Sequence, residues 1–157
     1  MGPNFEVERK FLIKTFPPDW KLAPHFKIIQ GYLPLRSKDL QMRLRLKNEK
    51  FYLTVKNGSG GSRQEEEIEI PKPFFELLWP LTKGKRIAKT RYEIPHKPHT
   101  IELDVFEGPH RGLITAEVEF TSKKASRAFK PPGWLGREIT GSRRYANRQL
   151  AKKQSAF

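Results

Sequence analysis

Acidic residues two positions apart recur along this chain, at Glu6 and Glu8, Glu65 and Glu67, Glu102 and Asp104, and Glu117 and Glu119. Basic residues repeat the spacing at Arg43 and Arg45 and at Lys89 and Arg91, while Lys10 and Arg63 extend two of the acidic runs and Lys56 closes an apolar-rich one. In an extended strand a spacing of two puts side chains on one face. Carboxylates presented that way are the hard oxygen ligands that Mg²⁺ or Mn²⁺ takes, and guanidinium forks and ammonium groups bind phosphoryl oxygens. A condensed phosphate would neutralise such cations, with metal bridging it to the carboxylates.

Period-two alternation near residues 5–14, 27–35, 40–47, 51–57, 62–70, 85–94, 100–107 and 114–121 predicts about eight strands. The turn residues 57–61, 95–98 and 108–112 separate them by short connections, which implies antiparallel neighbours. Helices are fewer. Pro17-Pro18-Asp19 opens a short one, and Pro71-Lys72-Pro73 precedes Phe74, Leu77, Leu78 and Leu81 at helical spacing. Ser122 caps a turn over 123–129, and 142–153 reads as a polar C-terminal helix with Tyr145, Leu150 and Ala151 on its apolar side.

The polar faces have two readings. Charges on one strand usually face water, and a solvated outer face explains any single run. Six strands in succession instead suggest a sheet curled with these faces inward, lining a lumen with carboxylates and cations that only water, metal and ligand make tolerable.

Composition narrows the classes. The 157 residues suit one domain spanning 1–157, with 11 Phe, 3 Trp and 4 Tyr to fill a core. The net charge of +14 implies nonspecific attraction to polyanions. The absence of Cys excludes disulfides, thiolate zinc sites and cysteine nucleophiles. No run approaches the roughly 18–20 apolar residues of a membrane span, so the expectation is a cytoplasmic protein without membrane contact.

Glu6-Val7-Glu8-Arg9-Lys10 forms an ExExK motif, followed in order by Gln30-Gly31-Tyr32-Leu33, Arg43-Leu44-Arg45, Leu53-Thr54-Val55-Lys56, Ser62-Arg63-Gln64-Glu65-Glu66-Glu67, Lys89-Thr90-Arg91-Tyr92, Glu102-Leu103-Asp104, Glu117-Val118-Glu119-Phe120 and Tyr145-Ala146-Asn147. In this series the chain resembles the CYTH superfamily of triphosphate tunnel metalloenzymes, most of all small bacterial members that hydrolyse inorganic tripolyphosphate. The resemblance implies a mainly β (α+β) fold, an eight-stranded antiparallel closed β-barrel forming a triphosphate tunnel, with a few peripheral helices and a C-terminal helix. It implies a metal-dependent triphosphatase using Mg²⁺ or Mn²⁺, with Glu6, Glu8, Glu117 and Glu119 as the principal metal carboxylates, assisted by Glu65, Glu67 or Asp104. Lys10, Arg43, Arg45, Lys56, Lys89 and Arg91 would hold phosphates, Arg63 would order the glutamates or reach one phosphate, and Tyr32 beside Lys10 would position the attacking water. Thiamine triphosphatase, nucleoside triphosphatase and class IV adenylate cyclase chemistry fit the same tunnel, and a polyphosphate or nucleic-acid binding module without chemistry is the other class. The carboxylate pairs favour an enzyme, since uncovered acids repel a polyanion.

Other residues read as structural. His25, His96, His99 and His110 show no metal spacing and read as surface residues, and the Gly58 turn lacks a P-loop lysine. No serine has a sequence partnership suggesting a catalytic triad. Trp20, Trp79 and Trp134 read as core. Arg127, Lys130, Arg137, Arg143, Arg144, Lys152 and Lys153 read as a solvated basic surface able to recruit a polyanion.

Overall fold

The computed structural model describes residues 5–58 and 62–152, with the side chains of 5, 6 and 62 outside that description. Nine antiparallel strands form one sheet: β1 (Phe5–Ile13), β2 (His25–Tyr32), β3 (Leu40–Lys47), β4 (Lys50–Asn57), β5 (Ser62–Ile70), β6 (Arg86–His96), β7 (His99–Phe106), β8 (Ile114–Phe120) and β9 (Leu135–Glu138). Their spatial order is β5-β4-β3-β2-β6-β7-β8-β1-β9. β1 also meets β5, over three residue pairs, Phe5 with Gln64, Glu6 with Arg63 and Val7 with Ser62. The expected eight-stranded closed barrel is therefore corrected to a nine-stranded sheet, curled until β1 and β5 touch along that short seam. The turn residues 59–61 and Lys153 lie outside the described residues.

Local chemistry accounts for most elements. β3 and β4 are joined through Asn48 and Glu49, both at positive φ (51° and 63°), the backbone of a two-residue hairpin turn. Helix α1 (Lys72–Leu78) begins after Pro71 with a second proline in its first turn, and helix α2 (Lys123–Ala128) is capped by the Ser122 hydroxyl, which accepts the Ala125 N–H at 3.0 Å. The short helix expected after Pro18 is a 3-10 turn at Trp20–Leu22.

The helix expected over 142–153 is broken. A 3-10 turn at Arg143–Tyr145 is followed by an extended Ala146 and then helix α3 (Asn147–Lys152). In a continuous helix the Tyr145 carbonyl would accept the Gln149 N–H; here it accepts the Lys10 ammonium at 2.7 Å, and the Gln149 N–H bonds Ala146 instead.

The apolar core lies on the outward face of β1, β7 and β8, where Phe11, Ile101, Leu103, Ala116, Val118 and Phe120 pack with Phe129 and Leu135. Arg9 fastens the cover: its guanidinium reaches both oxygens of Glu138 at 2.6 and 3.0 Å and the carbonyls of Ser126 and Phe129. A second cluster sits inside, where Leu150 and Ala151 of α3 pack on Tyr32, Ile87 and Phe106. The tryptophans, expected in the core, are half-buried at its margins, Trp79 stacked on Phe75, Trp20 on Phe16, and Trp134 against the outer core. His110, expected at the surface, is buried, with Nε2 at 2.7 Å from the Leu150 carbonyl of α3. No helix among the described residues is long and apolar enough to cross a membrane.

Candidate active site

The register puts the charged series on one face. Paired positions share a face in an antiparallel sheet, and Glu8 pairs with Glu119, Lys10 with Glu117, and Glu117 in turn with Glu102. Across the opposite wall Arg43 pairs with Thr54 and Thr54 with Glu67, while Gln41 pairs with Lys56 and Lys56 with Glu65. Tyr32 pairs with Arg43, and Arg91 with Asp104. Inside this face lies a cavity of about 490 Å³ lined by ten basic and five acidic residues.

Of the residues singled out from sequence, Glu8, Lys10, Tyr32, Arg43, Arg45, Lys56, Arg63, Glu65, Arg91, Glu117 and Glu119 line the cavity. Glu6 follows the same parity on β1, although its side chain lies outside the described residues. Lys89, Asp104 and Glu67 are not among the lining residues. Lys89 and Asp104 lie on the same face as Arg91 but are almost wholly buried beneath the cavity, joined Nζ to Oδ2 at 2.6 Å. Glu67 accepts a hydrogen bond from the Thr54 hydroxyl and lies 3.5 Å from Arg43.

Neighbours orient the cations. Both oxygens of Asp104 hold Arg91, and Arg91 Nη1 also reaches Glu102 at 3.0 Å. Lys10 lies 3.5 Å from Glu117, and Arg63 lies 3.3 Å from Glu8. The Nε of Arg43 is buried with no hydrogen-bond partner among the described residues, a donor for which the protein supplies no acceptor. Tyr32 makes no hydrogen bond to Lys10; its hydroxyl accepts the Gln30 amide N–H at 3.1 Å, while Gln30 Oε1 takes two from Arg45 at 2.7 and 3.0 Å.

Burial and charge shift these groups in opposite senses. Burial, reinforced by Arg43 and Arg91, lowers the Arg45 pKa to about 9. Burial brings Lys89 down to about 7, with Asp104 only partly offsetting it. Burial would raise Asp104 and Glu117, yet the cations around them hold both below the ordinary carboxylate value, Arg91 and Lys89 for Asp104 and chiefly Lys10 for Glu117. Glu102 goes the other way, raised by burial and by its neighbour Glu117 despite Arg91.

Several lining residues were missed in sequence. Lys38 and Arg148 carry no motif signal, Asn147 closes the last motif but was given no role, and Arg143 and Lys152, read as solvated surface, line the cavity as well. Arg144 conforms to the surface reading, lying over the Tyr145 ring. Gln30 sits inside a motif; its role as a brace between Arg45 and Tyr32 depends on the β2–β3 register.

The CYTH domain profile matches residues 4–148. The chain belongs to the CYTH family. This CYTH protein is 45% identical to an inorganic triphosphatase of Nitrosomonas europaea over 148 residues, covering 93% of this chain and 96% of the relative. It is 41% identical to an inorganic triphosphatase of Acetivibrio thermocellus over 149 residues, covering 94% and 93%. A crystal structure of an inorganic triphosphatase superposes on the CYTH fold described here with a TM-score of 0.69 at 41% identity, covering 94% of each chain.

Proposed function

We propose that this CYTH protein is a metal-dependent inorganic triphosphatase, hydrolysing tripolyphosphate to pyrophosphate and phosphate within one domain. The observation that carries the reading is the pairing of opposed carboxylates, Glu8 with Glu119 and Glu102 with Glu117, on the face that also bears the arginines. Like charges directly across strands destabilise a sheet unless a cation lies between them. Among the described residues no three acidic or histidine side chains converge to enclose an ion. That suits Mg²⁺ or Mn²⁺, which binds through one or two carboxylates and completes its shell with water and substrate phosphates. Glu8 and Glu119 would hold the ion, with Glu6, Glu117 and Glu65 as further donors. When bound it would neutralise charge on the phosphoryl oxygens.

The protein's own groups do the rest. Arg43, Arg45 and Arg91 grip phosphoryl oxygens from two walls, Lys56 and Arg63 add charge beside them, and Lys10 stabilises the negative charge developing at the reacting phosphorus. Asp104 and Lys89, buried beneath the cavity on the same face, position Arg91 rather than touching substrate, and Glu67 orients Arg43. Tyr32, held by Gln30, faces the cavity where an attacking water must approach.

The test is phosphate release from tripolyphosphate, pyrophosphate, ATP and thiamine triphosphate, each with Mg²⁺, Mn²⁺ or EDTA. Tripolyphosphate should exceed the others and EDTA should abolish turnover. Formation of cyclic AMP, or faster turnover of ATP, would replace this reading with cyclase or nucleotidase chemistry.

A further inference from the structure

The cations lining the cavity fall into two groups. Those on the strands, apart from Arg45 on the Gln30 amide, stand against carboxylates: Lys10 faces Glu117, Arg63 faces Glu8, and Arg91 faces Asp104. The other four, Lys38 from the β2–β3 loop and Arg143, Arg148 and Lys152 from the C-terminal segment, form no ion pair among the described residues. Asp39 is the one acidic residue that the loop and this segment contribute to the lining.

The two segments are tied together. Arg148 Nη2 donates to the Ser37 carbonyl at 2.9 Å, beside Lys38, and the contact of His110 with the Leu150 carbonyl anchors α3 from behind. Four cations lining one cavity from these two segments, with no ion pair among the described residues and only Asp39 beside them, make this rim net positive, which favours an anion. The rim also lacks what a nucleoside needs. Among the described residues lining the cavity, Tyr32 is the only aromatic one, and it belongs to the inner wall; Ile139 and Ala146 are the only aliphatic ones.

We propose that Lys38, Arg143, Arg148 and Lys152 form a second, outer phosphate subsite that makes the enzyme selective for inorganic over nucleoside triphosphate. The inference deepens the triphosphatase reading and rests on it. A tripolyphosphate bound by the inner arginines would place its far terminal phosphate in this rim. That phosphate carries about 1.5 charges near neutral pH, because its second ionisation lies near that pH. The corresponding α-phosphate of ATP is esterified to the nucleoside and carries one. Unpartnered cations therefore gain more from the inorganic end.

The test uses Arg143→Gln with Lys152→Gln in one protein, because neither side chain makes a hydrogen bond or ion pair among the described residues and folding should be untouched. Lys38→Gln on the opposite segment is the second variant. Calorimetric titration of tripolyphosphate and of ATP, in EDTA, reads binding without turnover. The double variant should bind tripolyphosphate about tenfold more weakly and ATP about threefold more weakly. With metal, KM for tripolyphosphate should rise in the same proportion while kcat stays within about twofold. Equal losses for both ligands would reduce the rim to a general electrostatic field, and unchanged tripolyphosphate affinity in both variants would remove the subsite altogether. Wild-type protein that binds tripolyphosphate, with these variant effects, but does not hydrolyse it would overturn the triphosphatase reading and leave the subsite standing.

Discussion

Asp104 grips Arg91 at two points, Oδ1 to Nε at 2.7 Å and Oδ2 to Nη2 at 2.9 Å, and the same Oδ2 accepts the ammonium of Lys89 at 2.6 Å. One carboxylate thus compensates two buried cations and fixes the plane of a guanidinium whose remaining edge reaches toward the cavity. Asp104→Asn keeps the shape and removes the charge, so stability should fall by about 3–5 kcal/mol, as when a buried ion pair loses one partner. If the variant folds, kcat/KM for tripolyphosphate should fall by about a hundredfold while Mn²⁺ affinity stays at the wild-type value. Weakened Mn²⁺ binding in calorimetry would return Asp104 to the metal ligands.

Glu8→Gln and Glu119→Gln should behave oppositely. A neutral amide is a poorer ligand for a hard divalent ion, and it also removes the repulsion between opposed carboxylates. Glu8→Gln, which also gives up the 3.3 Å ion pair to Arg63, should lose a little stability and Glu119→Gln none, and each should bind Mn²⁺ more weakly and lose turnover by about a hundredfold or more. Full metal affinity in both would withdraw these carboxylates from the metal site.

Lys89 gives stability a pH dependence of defined sign. Its folded-state pKa of about 7 lies below the ordinary lysine value of 10.5. Between those values the unfolded chain binds the extra proton, so this group contributes stability that grows as pH rises through the window, by at most about 1.4 kcal/mol per pH unit. Denaturant titrations from pH 7 to 10 should show that slope in wild type and its loss in Lys89→Met. Identical slopes in the two proteins would mean Lys89 stays charged throughout.

Gly31 tests how tightly the wall behind Tyr32 is built. A Cβ at this position would lie 2.6 Å from both Cβ and Oγ1 of Thr82, in the 3-10 turn at Trp79–Thr82. Gly31→Ala should cost about 1–3 kcal/mol through overpacking and should displace Tyr32 next to it, lowering turnover more than it weakens substrate binding. A variant with wild-type melting temperature and kcat would show that the turn yields freely.

What was legible in sequence was whatever a single strand carries by itself. The alternation of Arg43, Leu44 and Arg45 announces both a strand and its two faces, and the Ser122 cap announces the start of α2. β9 was not legible, because Leu135–Glu138 is too short for periodicity and exists only through its pairing with β1. Gly136 permits that approach, since a Cβ there would meet the Ile13 and Leu12 backbone at 3.2 Å. The site divides the same way. The strand-borne charges were read from spacing, whereas the roles of Gln30, Arg148 and Arg143 depend on which loop faces which segment. Lys89 and Asp104 carry a motif indistinguishable in spacing from that of a cavity residue and share its face, and only burial shows that they lie beneath the cavity.

Lys10 is met at three of its atoms by residues near the end of the chain: its N–H donates to the Thr140 hydroxyl at 2.9 Å, its carbonyl accepts the Ile139 N–H at 2.8 Å, and its ammonium reaches the Tyr145 carbonyl. Both extended neighbours of β1, β8 and β9, likewise come from the last third of the sequence. During synthesis β1 therefore waits for these partners while more than a hundred residues are added, on the order of ten seconds at ordinary translation rates. Until then it has only the three-residue seam with β5, and the rest of its edge is open to wrong partners. The closing contacts span most of the chain, so folding should be slow for a protein of this length. A chain stalled or cut before residue 139 would carry most of the charged strands and none of the groups that seat Lys10, so the proposed site is assembled only after residues 139–145 have been made.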